Sequence, residues 1–90
     1  MKALRPQSVF RKDLKRISKR RYDLAKLVAV TDLLRNGQPL PLARRDHPLK
    51  GGWQDFRECH IEPDWLLIYQ ITDEHVVLAR TGTHADLFNK

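Results

Sequence analysis

The stretch His60-Ile61-Glu62-Pro63-Asp64-Trp65-Leu66-Leu67-Ile68-Tyr69 decides how the chain is read. Trp65 to Tyr69 is the most apolar run in the sequence and continues into Gln70, Ile71 and Thr72. A short bulky run without polar alternation predicts a strand buried on both faces, in the middle of a sheet. Pro63 sets a turn just before it. His60, Glu62 and Asp64 crowd that turn, so titratable groups stand at the mouth of a central strand.

Working outward, Asp73-Glu74 marks a second turn and His75 to Thr81 a following strand, while Trp53 to Ile61 supplies the preceding one. Such short connections predict an antiparallel meander. Farther upstream, Phe10, Leu14 and Ile17 form one apolar stripe on a helix from Val9 to Arg20, with Ser8 expected as its N-cap. Leu24, Leu27, Val28, Thr31 and Leu34 do the same on a helix from Asp23 to Arg35, which Asn36-Gly37 stops. A tight joint at Arg21-Tyr22 makes the two helices an antiparallel hairpin. Residues 2–6 suit an edge strand, because Pro6 cannot donate to a central ladder. Residues 43–52 read as a loop, and Thr83 to Phe88 as a short tail or one helical turn. The expected fold is a single α+β domain over residues 1–90, with an N-terminal strand and a helical hairpin packed on one face of a small antiparallel sheet.

At 90 residues the chain can bury one modest core, so an exposed site on a sheet face is expected rather than an enclosed cavity. No stretch approaches the ~20 apolar residues of a membrane span, and a single cysteine, Cys59, excludes an internal disulfide. Both features point to a cytoplasmic protein without a membrane partner. The net charge of +6 is uneven. Residues 1–50 carry fourteen Lys and Arg against four Asp and Glu, a net +10; residues 51–90 carry three against seven, a net −4. Arg11, Lys12, Lys15, Arg16, Lys19 and Arg20 concentrate the positive charge on the first helix, which suits a solvated face, RNA phosphates or an acidic protein.

Three of the four histidines, His47, His60 and His84, fall at element ends that a meander can bring to one face; His75 lies in the opposite turn. Imidazole both takes and gives a proton near neutral pH. Placed beside Arg57 and Arg80, two imidazoles suit attack on an RNA phosphodiester, whose 2′-hydroxyl is an internal nucleophile. Phe88 or Trp65 could stack a base. Each residue also has a plainer reading: Trp53, Phe56 and Trp65 as core, Cys59 as a small buried side chain, and the arginines as surface pairs of Glu58, Glu62 or Asp64. The Cys and His spacings match no zinc pattern, and neither a metal nor another cofactor is expected.

Asp46-His47-Pro48-Leu49-Lys50-Gly51, Phe56-Arg57-Glu58, the opening decapeptide and Arg80-Thr81-Gly82-Thr83-His84-Ala85-Asp86-Leu87-Phe88 together resemble the YafQ branch of the RelE/ParE toxin superfamily. The resemblance runs over nearly the whole chain. It implies the toxin of a type II toxin–antitoxin system, a ribosome-dependent mRNA endoribonuclease with a small antiparallel sheet and an N-terminal helical pair. It further implies catalytic positions at His47, His60, Asp64, His84 and Phe88. RNA or phosphate contacts would come from Lys50, Arg57, Arg80 and Trp65. Implied partners are a cognate antitoxin, the ribosome and mRNA, with promoter DNA bound only through the antitoxin. Two rivals remain: a ParE-like gyrase inhibitor of the same fold, and a nucleic-acid-binding module without catalysis.

Overall fold

The computed structural model describes residues 1–88. Five strands and three helices follow in the order β1 (Ala3–Pro6), α1 (Ser8–Lys19), α2 (Leu24–Arg35), β2 (His47–Pro48), β3 (Arg57–Glu62), β4 (Trp65–Ile71), β5 (His75–Gly82) and α3 (His84–Phe88). The sheet runs β1-β5-β4-β3-β2. The expected meander β3-β4-β5 forms its centre, with β1 added parallel to β5 and the two-residue β2 antiparallel to β3.

Strand β4 sits in the middle, and Trp65 to Tyr69 are all buried, as an apolar run without alternation requires. Cys59, Ile61, Trp65, Leu67, Tyr69, Val76 and Leu78 meet Phe10, Ile17, Leu27, Val30 and Leu34 of the two helices in one core. Glu58, His60, Leu66, Ile68 and Arg80 alternate with these and occupy the opposite face.

Asp23 caps α2 by accepting the backbone N–H of Ala25 at 3.1 Å. Arg21 (φ 62°) makes the joint between α1 and α2, and Gly37 (φ 66°) ends the hairpin, as its position after Asn36 predicts. Three expectations change. Ser8 is the first residue of α1, the N-cap is Gln7, and no side chain caps that end. Strand β3 begins at Arg57, because Trp53 lies in a single 3-10 turn (Gly51–Trp53) and Asp55 turns the chain with φ 69°. Residues 43–52 are a loop interrupted by β2 and the ends of two 3-10 turns, and this places His47 opposite Glu58 of β3.

Two irregularities shape the face away from the helices. Glu62 pairs with Trp65 and His60 with Leu66, so β3 bulges at Ile61. Arg80 pairs with Ile68 and Leu78 with Tyr69, so β5 bulges at Ala79. Bulges re-aim neighbouring side chains, and here they flank His60 and Arg80.

Candidate functional site

Each of three histidines comes from a different element and is fixed in the same way. His47 enters from β2, and its Nδ1 lies 2.8 Å from the carbonyl oxygen of Arg45. His60 enters from β3 with Nδ1 3.2 Å from the Pro63 carbonyl. His84 opens α3 with Nδ1 2.6 Å from Asp64 Oδ1. All three partners are oxygen acceptors, so Nδ1 is the donating nitrogen in every ring and Nε2 is the one left for chemistry. The rings of His60 and His84 stand 5.9 Å apart, tilted by 55°. His47 Nε2 and His60 Nε2 lie 3.6 and 3.7 Å from Glu58 Oε1.

Glu58 is buried, and sequence reading cast it only as a surface partner for arginine. The signal was present: with His60 two residues on, strand alternation puts both on one face. Glu58, His60 and His84 bring one ligand atom each within 4.8 Å of one another, a set that could hold a metal ion. Linear spacing hides this set, since its members come from β3 and α3.

Asp64 is exposed, yet Oδ1 accepts both the backbone N–H of His84 at 3.0 Å and its ring. Those bonds, the backbone one foremost, hold its carboxyl below the ordinary range. A second acid holds the same turn: Asp86 accepts the Thr83 N–H at 3.0 Å, while Thr83 Oγ1 accepts the Asp86 N–H at 3.1 Å. This reciprocal cap orders the five residues of α3. Arg20 of the hairpin adds two bonds to Asp86 at 2.7 and 3.1 Å.

The arginines differ from expectation in what they touch. Arg57 Nε donates to Asp46 Oδ1 at 3.1 Å, which Tyr69 Oη also reaches at 2.5 Å. Asp46 therefore ties the loop bearing His47 to β3 and β4, a role the sequence did not reveal. Arg80 grips Asp13 of α1. Both guanidiniums are held above their ordinary pKa, chiefly by these carboxylate bonds. Lys50 is exposed beside the loop and Phe88 is half-buried at the end of α3.

Trp65 corrects an expectation. Its ring is 1 % exposed, packs edge-on against Tyr22 at 5.0 Å, and donates Nε1–H to Thr81 Oγ1 at 2.9 Å. It is core and offers no face to a base. The clefts beside the site are shallow: one of about 260 Å³ is lined by Arg44, Arg45, His60 and Pro63, another of about 440 Å³ by Arg21, Tyr22, Glu62 and Asp64.

The sequence pattern of the family described as bacterial toxin of type II toxin–antitoxin system, YafQ, matches residues 2–89. The chain belongs to this family. An mRNA interferase toxin YafQ of Escherichia coli is 49 % identical over 80 residues, covering 88 % of this chain and 87 % of that protein. The E. coli DinJ–YafQ toxin–antitoxin complex contains a chain of the same fold, with a TM-score of 0.89, 44 % identity and 97 % of each chain covered. A metal-bound toxin from Helicobacter pylori superimposes with a TM-score of 0.92 at 46 % identity, over 98 % of this chain and all of that one. Membership of the YafQ family separates the chain from the gyrase-inhibiting rival. Among the described residues, no helix is long and apolar enough to cross a membrane.

Proposed function

We propose that this chain is a ribosome-dependent mRNA interferase that cuts RNA by acid–base catalysis and is neutralised by a cognate antitoxin. The observation that carries the reading is the common tether of His47, His60 and His84 through Nδ1, which leaves three Nε2 atoms for proton transfer on one face. Neutral His47 or His60 takes the 2′-hydroxyl proton at Nε2. The 2′-oxygen attacks phosphorus, the bond from phosphorus to the 5′-oxygen breaks, and protonated His84 gives its Nε2 proton to that oxygen. The products are a 2′,3′-cyclic phosphate and a 5′-hydroxyl. Asp64 orients His84; Arg80 and Lys50 face the phosphate charge; Arg57, which shares the helix-facing side of the sheet with Tyr69, holds the His47 loop through Asp46 instead; Phe88 stacks on a nucleotide.

Arg11, Lys12, Lys15 and Lys19 are exposed on α1 and suit ribosomal RNA phosphates or an acidic antitoxin. Such a target places the protein in the cytoplasm. Promoter DNA is bound through the antitoxin, since the toxin chain carries no DNA-reading motif.

One observation favours a second reading. Glu58, His60 and His84 fit a divalent transition metal, which would supply Lewis-acid chemistry or occupy the nitrogens that acid–base catalysis needs. Primer extension on a translated mRNA, with and without a chelator selective for transition metals over magnesium, separates the two. Acid–base catalysis expects cleavage to persist under chelation and to vanish at a 2′-deoxy substitution of the cleaved nucleotide. Chelator-sensitive cleavage, or cleavage at the 2′-deoxy position, contradicts it.

A further inference from the structure

Asp13 is the one acidic side chain of α1, among Arg11, Lys12, Lys15, Arg16 and Lys19. It looks like ordinary relief of a charged face, yet it is 2 % exposed. Four N–H groups converge on it: Arg80 Nε at 2.7 Å, Arg80 Nη2 at 3.2 Å, Arg16 Nη2 at 2.6 Å and the backbone N–H of Thr81 at 3.1 Å.

The topology explains the placement. Strand β1 pairs with β5 only as far as Leu78, and the chain then leaves the sheet through Gln7 into α1. From Ala79 onward the outer edge of β5 has no strand beside it among the described residues, and Asp13 takes the Thr81 N–H that a further strand would have taken. A neutral acceptor would satisfy one edge N–H equally well. A buried ion pair contributes little net stability over apolar packing, so edge repair alone does not call for a carboxylate.

The bond pattern at Arg80 supplies the other purpose. Arg80 leaves the sheet in the cross-strand row Glu58–Ile68–Arg80, on the histidine face, at the bulge around Ala79. Its side chain is 24 % exposed. Asp13 holds the Nε–Nη2 side of the guanidinium. The end-on fork, made of Nη1 and the second N–H of Nη2, has no partner among the described residues, and that fork matches two oxygens of a phosphate.

We propose that Asp13 is a positioning residue for the cleavage reaction: it grips one side of Arg80 so that the remaining fork of the guanidinium meets the scissile phosphate. The inference rests on the mRNA-cleavage reading above and assigns Asp13 no contact with substrate. The test is single-turnover cleavage on programmed ribosomes by wild type, Asp13→Asn, Arg80→Ala, the double variant, Arg80→Lys and His84→Ala. Toxin–ribosome affinity and melting temperature are measured alongside. Asn keeps an acceptor for Thr81 but loses the charge that grips Arg80. The expected result is a cleavage rate at least tenfold lower for Asp13→Asn with ribosome affinity unchanged, and a double variant no slower than Arg80→Ala alone. Wild-type rates in Asp13→Asn, a loss confined to affinity, or losses that multiply in the double variant would overturn the proposal. Should Asp13→Asn fail to fold, Arg80→Lys decides. An ammonium cannot make the side-on grip and the fork together, so it is expected to be as slow as Arg80→Ala; full activity refutes positioning. A His84→Ala variant at full rate defeats the site reading instead, whereas a dead His84→Ala beside a fully active Asp13→Asn defeats only this inference.

Discussion

Replacing Gly82 by alanine presses on the joint that carries the histidine face. Gly82 closes β5 with φ 151°, and a Cβ there would stand 2.9 Å from Asp86 Oδ2 and 3.0 Å from Asp86 Cβ. The backbone term alone is about 1–3 kcal/mol for a side chain held in so sparsely populated a region. Asp86 must also move, which loosens the Thr83 cap, typically ~1 kcal/mol, and disturbs the solvent-facing pair with Arg20. A total near 2–4 kcal/mol, at roughly 4–8 °C per kcal/mol for a domain of this size, lowers the melting temperature by roughly 8–32 °C. Thermal unfolding followed by far-ultraviolet circular dichroism measures this, with superposition of near- and far-ultraviolet transitions as the two-state check. An Asp86→Gly background removes the three nearest atoms that the new methyl meets and should leave chiefly the backbone term. His84 follows Gly82 by two residues, so cleavage per folded molecule should fall as well. A Gly82→Ala protein that melts within about 2 °C of wild type, or whose loss is the same in the Asp86→Gly background, refutes the reasoning.

Acid should act partly through Asp86, whose carboxyl lies below its ordinary range chiefly because Arg20 donates to it. A folded-state pKa below the unfolded one contributes stability above about pH 4 that is lost as pH falls toward the folded value. Asp86→Asn should therefore be less stable than wild type at neutral pH and close that gap below about pH 4; an equal gap at every pH in thermal melts contradicts this. Trp65→Phe removes the Nε1 bond to Thr81 and part of a buried ring, and should cost about 1–3 kcal/mol in urea unfolding, whereas an exposed stacking platform would cost close to nothing.

The sequence made plain what local pattern controls. The apolar run of β4, the stripe of α1, most of that of α2 (Val28 is exposed and Val30 is buried instead), the stop at Asn36-Gly37 and the short turns around β4 specify a helical hairpin on a meander. The gathering of His47, His60 and His84 followed from placing each at the end of an element. What stayed hidden depends on register and on distant pairs. Glu58 becomes a buried neighbour of two imidazoles only once β2 pairs with β3. Asp13 meets Arg80 across 67 residues, and an acid on a cationic helix reads as solvated until the β5 edge is seen to be open beneath it. Asp46 sits next to His47, yet nothing local shows that Tyr69 and Arg57 converge on it. Trp65 went the other way: its sequence allows both a stacking platform and a core residue, and the structure makes it core, with Nε1 bonded to Thr81.

The most direct test is primer extension on a translated mRNA, comparing wild type with His84→Ala at matched folded fraction. Loss of His84 should remove the proton donor for the 5′-oxygen and slow cleavage by at least about a hundredfold, within the usual range for positioned acid–base groups. It should leave the melting temperature nearly unchanged, because the bond to Asp64 is exposed. Transcripts cut at wild-type rate by a folded His84→Ala protein would contradict the assignment of this histidine face as the catalytic centre.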